Sequence, residues 1–342
     1  MGEAGDIITL TAGAWRLRAP LAGSSYGVLW RAESVSTGEA AAVKLVNRAQ
    51  MELALPPQRA CWRNSADAEI AFLRALQPWD RRHIVRLLDS GEHAGLPALA
   101  LELLDGDLAA HLARLRGRGA QPGIHQALAW IAQVNAALAK VHQYGWRYLD
   151  LKPANLLLDA HTGTLKLADF GTNRPLLDSA AHSYAGTAAW QAPEQFFPDG
   201  DGRYRTDARS DYFALGALLY ALVSGIPLRY CGACADAWRH HGATAATALR
   251  AAHDGALPAI LAPDEAALFL RCAAAWPASP GRNADAALLA LLRALLAPRP
   301  ADRPQHALAI SRLIARAQAA LGQPGLDSVA LDQTGQPLRS AA

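Results

Sequence analysis

Tyr148-Leu149-Asp150-Leu151-Lys152-Pro153-Ala154-Asn155, followed by Asp169-Phe170-Gly171, is the stretch that decides how this chain is read. It places a carboxylate, an ammonium and an amide in one short segment, with a second carboxylate shortly after. Residues 155–158 and 165–168 read as short strands around a turn at 161–164, so these polar groups stand on loops beside strands. Asp and Asn offer the hard oxygen donors that Mg²⁺ takes. A carboxylate that faces a hydroxyl suits phosphoryl transfer, in which the moving group carries dispersed negative charge and needs alignment more than covalent help.

Upstream, residues 28–33 and 40–46 read as two strands joined by the Ser-Thr-Gly turn at 36–38. Residues 66–76 carry Ile70, Leu73 and Leu76 at helical spacing, with Ser65 or Asp67 as the N-cap. Residues 84–88 and 97–101 read as further short strands. After Asp105 the pattern turns helical: 124–143 sets Leu128, Ile131, Leu138 and Val141 on one face, and 210–224 is an apolar, buried helix. The Ala-rich segment 228–286 is helix-prone, with breaks at Gly242, Pro258, Pro263 and 277–280; helices at 284–296 and 305–321 follow. Strands first and helices after predict an α+β fold of two lobes with a cleft between them.

At this point the chain resembles the eukaryotic-type (bacterial-like) serine/threonine protein kinase family, whose motifs appear in order. The resemblance implies a bilobal protein-kinase-like fold, with a small strand-rich N-lobe around one main helix and a larger, mainly helical C-lobe. Ala42-Val43-Lys44 resembles the strand that brings a lysine to the α- and β-phosphates of ATP, and Glu69 sits where a helix carboxylate orients that lysine. Glu102-Leu103-Leu104 is similar to the hinge that binds adenine through its backbone, with Leu101 as gatekeeper and Leu29, Ala42 and Leu157 as the apolar sandwich. The resemblance makes Asp150 the base that accepts the substrate proton, Lys152 the γ-phosphate contact, and Asn155 and Asp169 the Mg²⁺ ligands. Thr187, after Gly186, resembles the threonine that holds the catalytic aspartate and Lys152. Ala192-Pro193-Glu194 closes the activation segment, Arg303 falls where an arginine pairs with that glutamate, and Asp211 falls where a helix aspartate braces the catalytic loop. Each feature has a plainer reading alone: a turn, a surface lysine, a solvated helix glutamate, an N-cap, a helix-end charge. Their joint order and spacing override those readings.

Two departures stand out. The family's phosphate loop G-x-G-x-x-G is here Ala22-Gly23-Ser24-Ser25-Tyr26-Gly27, with only the last glycine in place; Ala22 and Ser24 are small, and Tyr26 resembles the aromatic at the loop tip. The arginine that pairs with an activation-loop phosphate in the family is Leu149, which cannot do so. Activity is therefore expected not to require phosphorylation at Ser179, Ser183 or Tyr184. Tyr148 is expected to fill an aromatic slot beside Phe170, in a stack joining Leu73, Phe170 and Asp211. Cys231-Gly-Ala-Cys234 with His240 and His241 lacks the spaced second pair of a zinc site and reads as buried cysteines.

The 342 residues are 51% hydrophobic and 18% charged, enough for a sizeable core. A net charge of +3 gives no footprint for nucleic acid. No basic segment leads into an apolar run at the N-terminus, and the longest apolar stretch, 213–223, is too short to span a bilayer. With four cysteines and no export signal, a reducing, cytoplasmic setting without a membrane partner is expected. The boundaries read as an extension at 1–14, a kinase domain at 15–321 (N-lobe 15–104, C-lobe 105–321) and a flexible tail at 322–342. The expected function is ATP- and Mg²⁺-dependent phosphorylation of Ser/Thr hydroxyls on a protein substrate in signalling, with a separate regulatory partner. A pseudokinase scaffold and a small-molecule kinase of related fold are the alternatives; the second lacks the Gly-Thr…Ala-Pro-Glu segment present here.

Overall fold

A computed structural model describes residues 2–23, 27–53, 56–178, 186–275 and 284–322. The expectations for Ser24, Ser25, Tyr26, Ser179, Ser183, Tyr184 and the tail beyond 322 lie outside them.

Strands β1 (Ile7–Thr9), β2 (Ala14–Gly23), β3 (Gly27–Ser34), β4 (Ala40–Val46), β5 (Leu87–His93) and β6 (Leu96–Glu102) form one antiparallel sheet in the order β1-β2-β3-β4-β6-β5. One face packs on helix α2 (Pro56–Ala75), where Ile70, Phe72, Leu73 and Leu76 are buried in the main core. Helix α2 starts ten residues before the predicted 66, so Ser65 and Asp67 are interior residues and not caps. The apolar period marks only the half that meets the sheet. A short helix, α1 (Arg48–Leu53), precedes it. The predicted strand at 84–88 also shifts: β5 begins at Leu87, while Ile84 makes an isolated parallel bridge to Leu167 of the other lobe.

The other face of the sheet carries its own small core: Ile8, Leu10, Trp15, Leu17, Trp30, Ala32, Ala41, Val43, Leu45, Ala98 and Ala100. The N-terminal segment covers it, because Asp89 on β5 holds that segment down. Its carboxylate, 6% exposed, accepts from the amides of Ala12 (2.9 Å) and Gly13 (3.1 Å) and from the Trp15 indole (3.1 Å). Gly91 leaves room for this crossing, since a Cβ there would sit 3.2 Å from Leu10 Cα.

Beyond the sheet come α3 (Leu108–Gly117), α4 (Ile124–Gln143), β7 (Trp146–Arg147), β8 (Leu156–Asp159), β9 (Thr164–Leu167), β10 (Arg174–Pro175), α5 (Pro193–Phe196), α6 (Ala208–Ser224), α7 (Arg229–His241), α8 (Ala245–Ala251), α9 (Pro263–Ala274), α10 (Ala284–Leu295) and α11 (Ala307–Leu321). Helix α4 occupies the predicted span, and α7 and α9 stop and start at the predicted breaks Gly242 and Pro263. Helix α6 is buried almost all round; a Cβ on its Gly216 would come within 2.8 Å of Leu295, so glycine lets α10 close against it. No single helix among the described residues is long and apolar enough to cross a membrane.

Replacing Asp89 with Ala removes the side-chain acceptor of the Ala12, Gly13 and Ser90 amides and of the Trp15 indole N–H. Chemical denaturation is expected to show a loss of about 2–3 kcal/mol, and hydrogen exchange a loss of protection at Ala12 and Gly13; unchanged values would show that the clamp holds nothing.

Candidate active site

The catalytic loop is built on one buried carboxylate. Asp211, in the first turn of α6 and 1% exposed, accepts from Leu149 N at 2.7 Å and from Tyr148 N at 2.9 Å. His142 Nε2, at the end of α4, meets the same carboxylate at 2.8 Å, and its Nδ1 meets the Tyr212 hydroxyl at 3.2 Å. This grip holds Leu149 at φ 66°, a left-handed backbone that a branched residue avoids unless its surroundings impose it. From the other side Gln195 Nε2 donates to Leu149 O at 3.0 Å. Gly186, at φ 99°, passes so near that a Cβ would lie 2.6 Å from that same oxygen.

The strained turn presents Asp150. Its Oδ1 accepts from Thr187 Oγ1 at 2.7 Å; its Oδ2 accepts from Lys152 Nζ at 2.8 Å and Asn155 Nδ2 at 3.0 Å. Lys152 Nζ also donates to Thr187 Oγ1 at 2.8 Å, closing a ring of three side chains. Burial pushes the Asp150 carboxyl above its ordinary range, although Lys152 and Thr187 pull it down.

A second cluster joins the lobes. Lys44 Nζ lies 2.7 Å from Glu69 Oε2 and 2.7 Å from Asp169 Oδ1. Glu69 is buried, and its other oxygen accepts from Phe170 N at 3.2 Å, which ties α2 to the Asp-Phe-Gly turn. Burial works against the Lys44 ammonium, but the Asp169 and Glu69 carboxylates outweigh it and raise its pKa. Lys44 in turn holds the Asp169 carboxyl below the usual range. Glu69 moves the other way, upward, because burial exceeds the pull of Lys44. Gly27 has a packing reason: a Cβ there would press on Lys44 Cε at 3.3 Å. At Gly23 the space is open, and Ala22 pairs with Leu29 in the ladder.

Ala42 and Leu101 are buried in the main core, with Leu29 and Leu157 half-buried against it. Ala42 faces Leu101 across β4 and β6. Glu102 does more than the sequence indicated. Its carboxylate pairs with Lys166 Nζ at 2.6 Å and accepts from Arg86 N at 2.7 Å, so the hinge is tied to β9. Leu104 follows it, half-buried.

The residues present fit a hard divalent cation. The Asp169 side chain is 49% exposed, and Asn155 turns its Nδ2 to the Asp150 backbone oxygen (2.9 Å) and carboxylate, leaving its amide oxygen uncommitted to that residue. Among the described residues no three His, Cys, Asp or Glu side chains cluster as a metal cage. Mg²⁺ bound with phosphates takes only one or two protein groups. Cys231 and Cys234 are buried in α7 with thiol pKa values pushed up, that of Cys234 to about 12, and so are inert.

The brace at Glu194 stands as expected: Arg303 Nη1 meets Oε1 at 2.6 Å and Nη2 meets Oε2 at 2.9 Å, with the guanidinium fully buried. Of the expected aromatic stack, the Tyr148–Phe170 contact is present. Tyr148 lies 5.4 Å edge-on to Phe170, and its hydroxyl donates to Ala168 O. A second ring packed on Phe170 belongs to Phe72, at 4.6 Å, one residue before Leu73. Sequence reasoning also passed over His142 and Gln195. A histidine in the last turn of a helix already has a sufficient reason in the helix dipole, and Gln195 looks like any polar residue after Ala-Pro-Glu.

The protein kinase domain family matches residues 22–312. Serine/threonine-protein kinase PknL of Mycobacterium tuberculosis is 36% identical over 155 residues, 44% of this chain and 37% of the relative. Serine/threonine-protein kinase PkaA of Streptomyces coelicolor is 35% identical over 232 residues, 62% of this chain and 39% of the relative. The chain thus spans about two fifths of the length of these relatives. The solved kinase domain of Mycobacterium tuberculosis PknI shares the fold, with a TM-score of 0.59 at 21% identity over 93% of this chain and all of that one.

Because Lys152 lowers the Asp150 pKa while burial raises it, Lys152→Met removes the lowering partner. Carboxyl-carbon NMR is expected to place Asp150 above the ordinary value of about 3.9 and to move it further up in Lys152→Met. A downward move would overturn this assignment of causes.

Proposed function

Since the chain belongs to the protein kinase domain family, we propose that it transfers the γ-phosphoryl group of ATP, with Mg²⁺, to serine or threonine hydroxyls of a protein substrate in signalling. The observation that carries this reading is the convergence of Lys44, Glu69 and Asp169 on one contact, beside the ring of Asp150, Lys152 and Thr187.

Adenine lies against the backbone of Glu102 and Leu104, between Leu29 and Ala42 above and Leu157 below. Lys44, aimed by Glu69, exchanges its contact with Asp169 for the α- and β-phosphate oxygens. Asn155 and Asp169 would hold Mg²⁺, which when bound supplies charge neutralisation on the phosphates. Asp150 accepts a hydrogen bond from the substrate hydroxyl and takes its proton as the oxygen attacks. Lys152, held between Asp150 and Thr187, offsets charge on the moving group. Lys152 and Thr187, the latter donating to Asp150, resemble the residues of serine/threonine kinases, which supports a serine/threonine substrate.

A nucleotide-binding scaffold without catalysis is the competing reading, motivated by Ala22, Ser24 and Leu149. The contacts within the two clusters disfavour it, because Lys44, Glu69, Asp150, Asn155 and Asp169 each make a side-chain contact within them. The same proposal places the reaction in the cytoplasm under a separate regulatory partner.

Incubation with labelled ATP, Mg²⁺ and a generic protein substrate is expected to yield phosphoserine and phosphothreonine. Asp150→Asn is expected to lose about 10²–10⁴-fold in turnover while still binding nucleotide. Near-normal turnover in that variant would remove Asp150 as the base, and no incorporation by the wild-type chain would favour the scaffold.

A further inference from the structure

A cavity of about 170 Å³ opens on the outer face of the sheet, on the side away from Lys44. Its apolar wall includes Val28, Trp30, Leu45, Leu96 and Pro97, and its polar lining is Asp6, Arg48 and His93. That volume is close to the void, on the order of 150 Å³, that takes one benzene ring. Trp15, in the same core, gives its indole N–H to Asp89. Trp30 is 9% exposed, yet its indole N–H meets no acceptor among the described residues. A buried indole ordinarily finds one, because a donor shut away from water without a partner is costly.

The polar lining holds one charge of each sign, and each has one arm tied down. Arg48 gives Nε to Glu52 at 2.8 Å, and its two Nη groups bond to nothing among the described residues. The Asp6 carboxylate accepts from Glu3 N at 2.7 Å through Oδ2, and its Oδ1 has no donor among the described residues. The backbone at Asp6 is fixed in turn: Leu17 N donates to Asp6 O and Gly5 N to Leu17 O, both at 2.8 Å. Apolar walls with a few placed polar groups are how small-molecule sites are built. A lone carboxylate entering here would meet Asp6, and a lone ammonium would meet Arg48. A ligand that carries both groups on one carbon satisfies the pair.

We propose that this cavity binds one α-amino acid with an apolar side chain of leucine or phenylalanine size. The carboxylate accepts from the Arg48 Nη groups and the Trp30 N–H, the ammonium donates to Asp6 Oδ1, and the side chain covers Val28, Leu45 and Leu96. His93, which makes no hydrogen bond among the described residues, completes the lining. Leu45 lines the cavity while its neighbour Lys44 reaches Glu69 on the opposite face, so the site is separate from the phosphoryl-transfer clusters. Binding requires no catalysis and stands or falls apart from the kinase reading.

Calorimetric titration of the full chain, without nucleotide, tests this with L-leucine, L-phenylalanine, isocaproate and isoamylamine. Both amino acids are expected to bind at one saturable site per chain. Isocaproate, which is leucine without its ammonium, and isoamylamine, which lacks the carboxylate, are each expected to bind at least about tenfold more weakly. Arg48→Gln is expected to erase the preference for leucine over isoamylamine, and Asp6→Asn the preference over isocaproate. Both positions are exposed, so neither variant threatens the fold. Trp30→Phe keeps a ring, removes the donor and is expected to weaken leucine severalfold. No saturable binding of either amino acid, equal binding of either analogue, or a preference unchanged in either charge variant overturns the site.

Discussion

The buried carboxylate of Asp211 is the contact on which the catalytic loop depends. A leucine at positive φ does not hold that conformation unaided, since its Cβ crowds the following carbonyl. Two adjacent amides aimed at one carboxylate supply what is missing, through charge-assisted bonds in a site closed to water. The turn then projects Asp150 toward the cleft and Leu149 into the core, and it leaves the Leu149 carbonyl facing Gln195 and Gly186. Loop, activation-segment end and α6 are therefore one mechanical unit, fastened again by the buried Arg303–Glu194 pair.

The cleft is spanned by polar links of a different kind. Lys44 bridges strand, helix and Asp-Phe-Gly turn, with the exposure of Asp169 leaving one end of the bridge open to exchange. Glu102 and Lys166 tie the hinge to β9, and Ile84 adds a backbone bridge to Leu167. The small lobe is thus registered on the large one by bonds to backbone and to partly buried ions.

Much of this was legible because the chemistry leaves few substitutes. Asp150, Lys152, Asn155, Asp169, Lys44 and Glu69 are identified by residue type and order, and each stands in one of the two clusters. Element boundaries were read well where the hydrophobic period is complete, as in α4, and poorly where half a helix lacks a buried face, as in α2. The supporting contacts were harder to see. His142, Phe72 and the carboxylate of Glu102 have ordinary roles as a helix-end histidine, a core ring and a surface acid, and only the fold brings them to Asp211, Phe170 and Lys166. The sheet's second core was likewise unreadable, since strands that alternate polar and apolar do not announce that both faces will be covered.

That second core bears on where the working unit begins. Trp15 and Trp30 rest under a strap made of residues ahead of Ala14, and Asp89 is the rivet that keeps the strap down. A chain started at residue 15 would keep Lys44, Glu69, Asp150, Asn155 and Asp169 yet bare an oily slab of indole and aliphatic carbon. A bared apolar face of that kind is a surface on which two chains stick to each other.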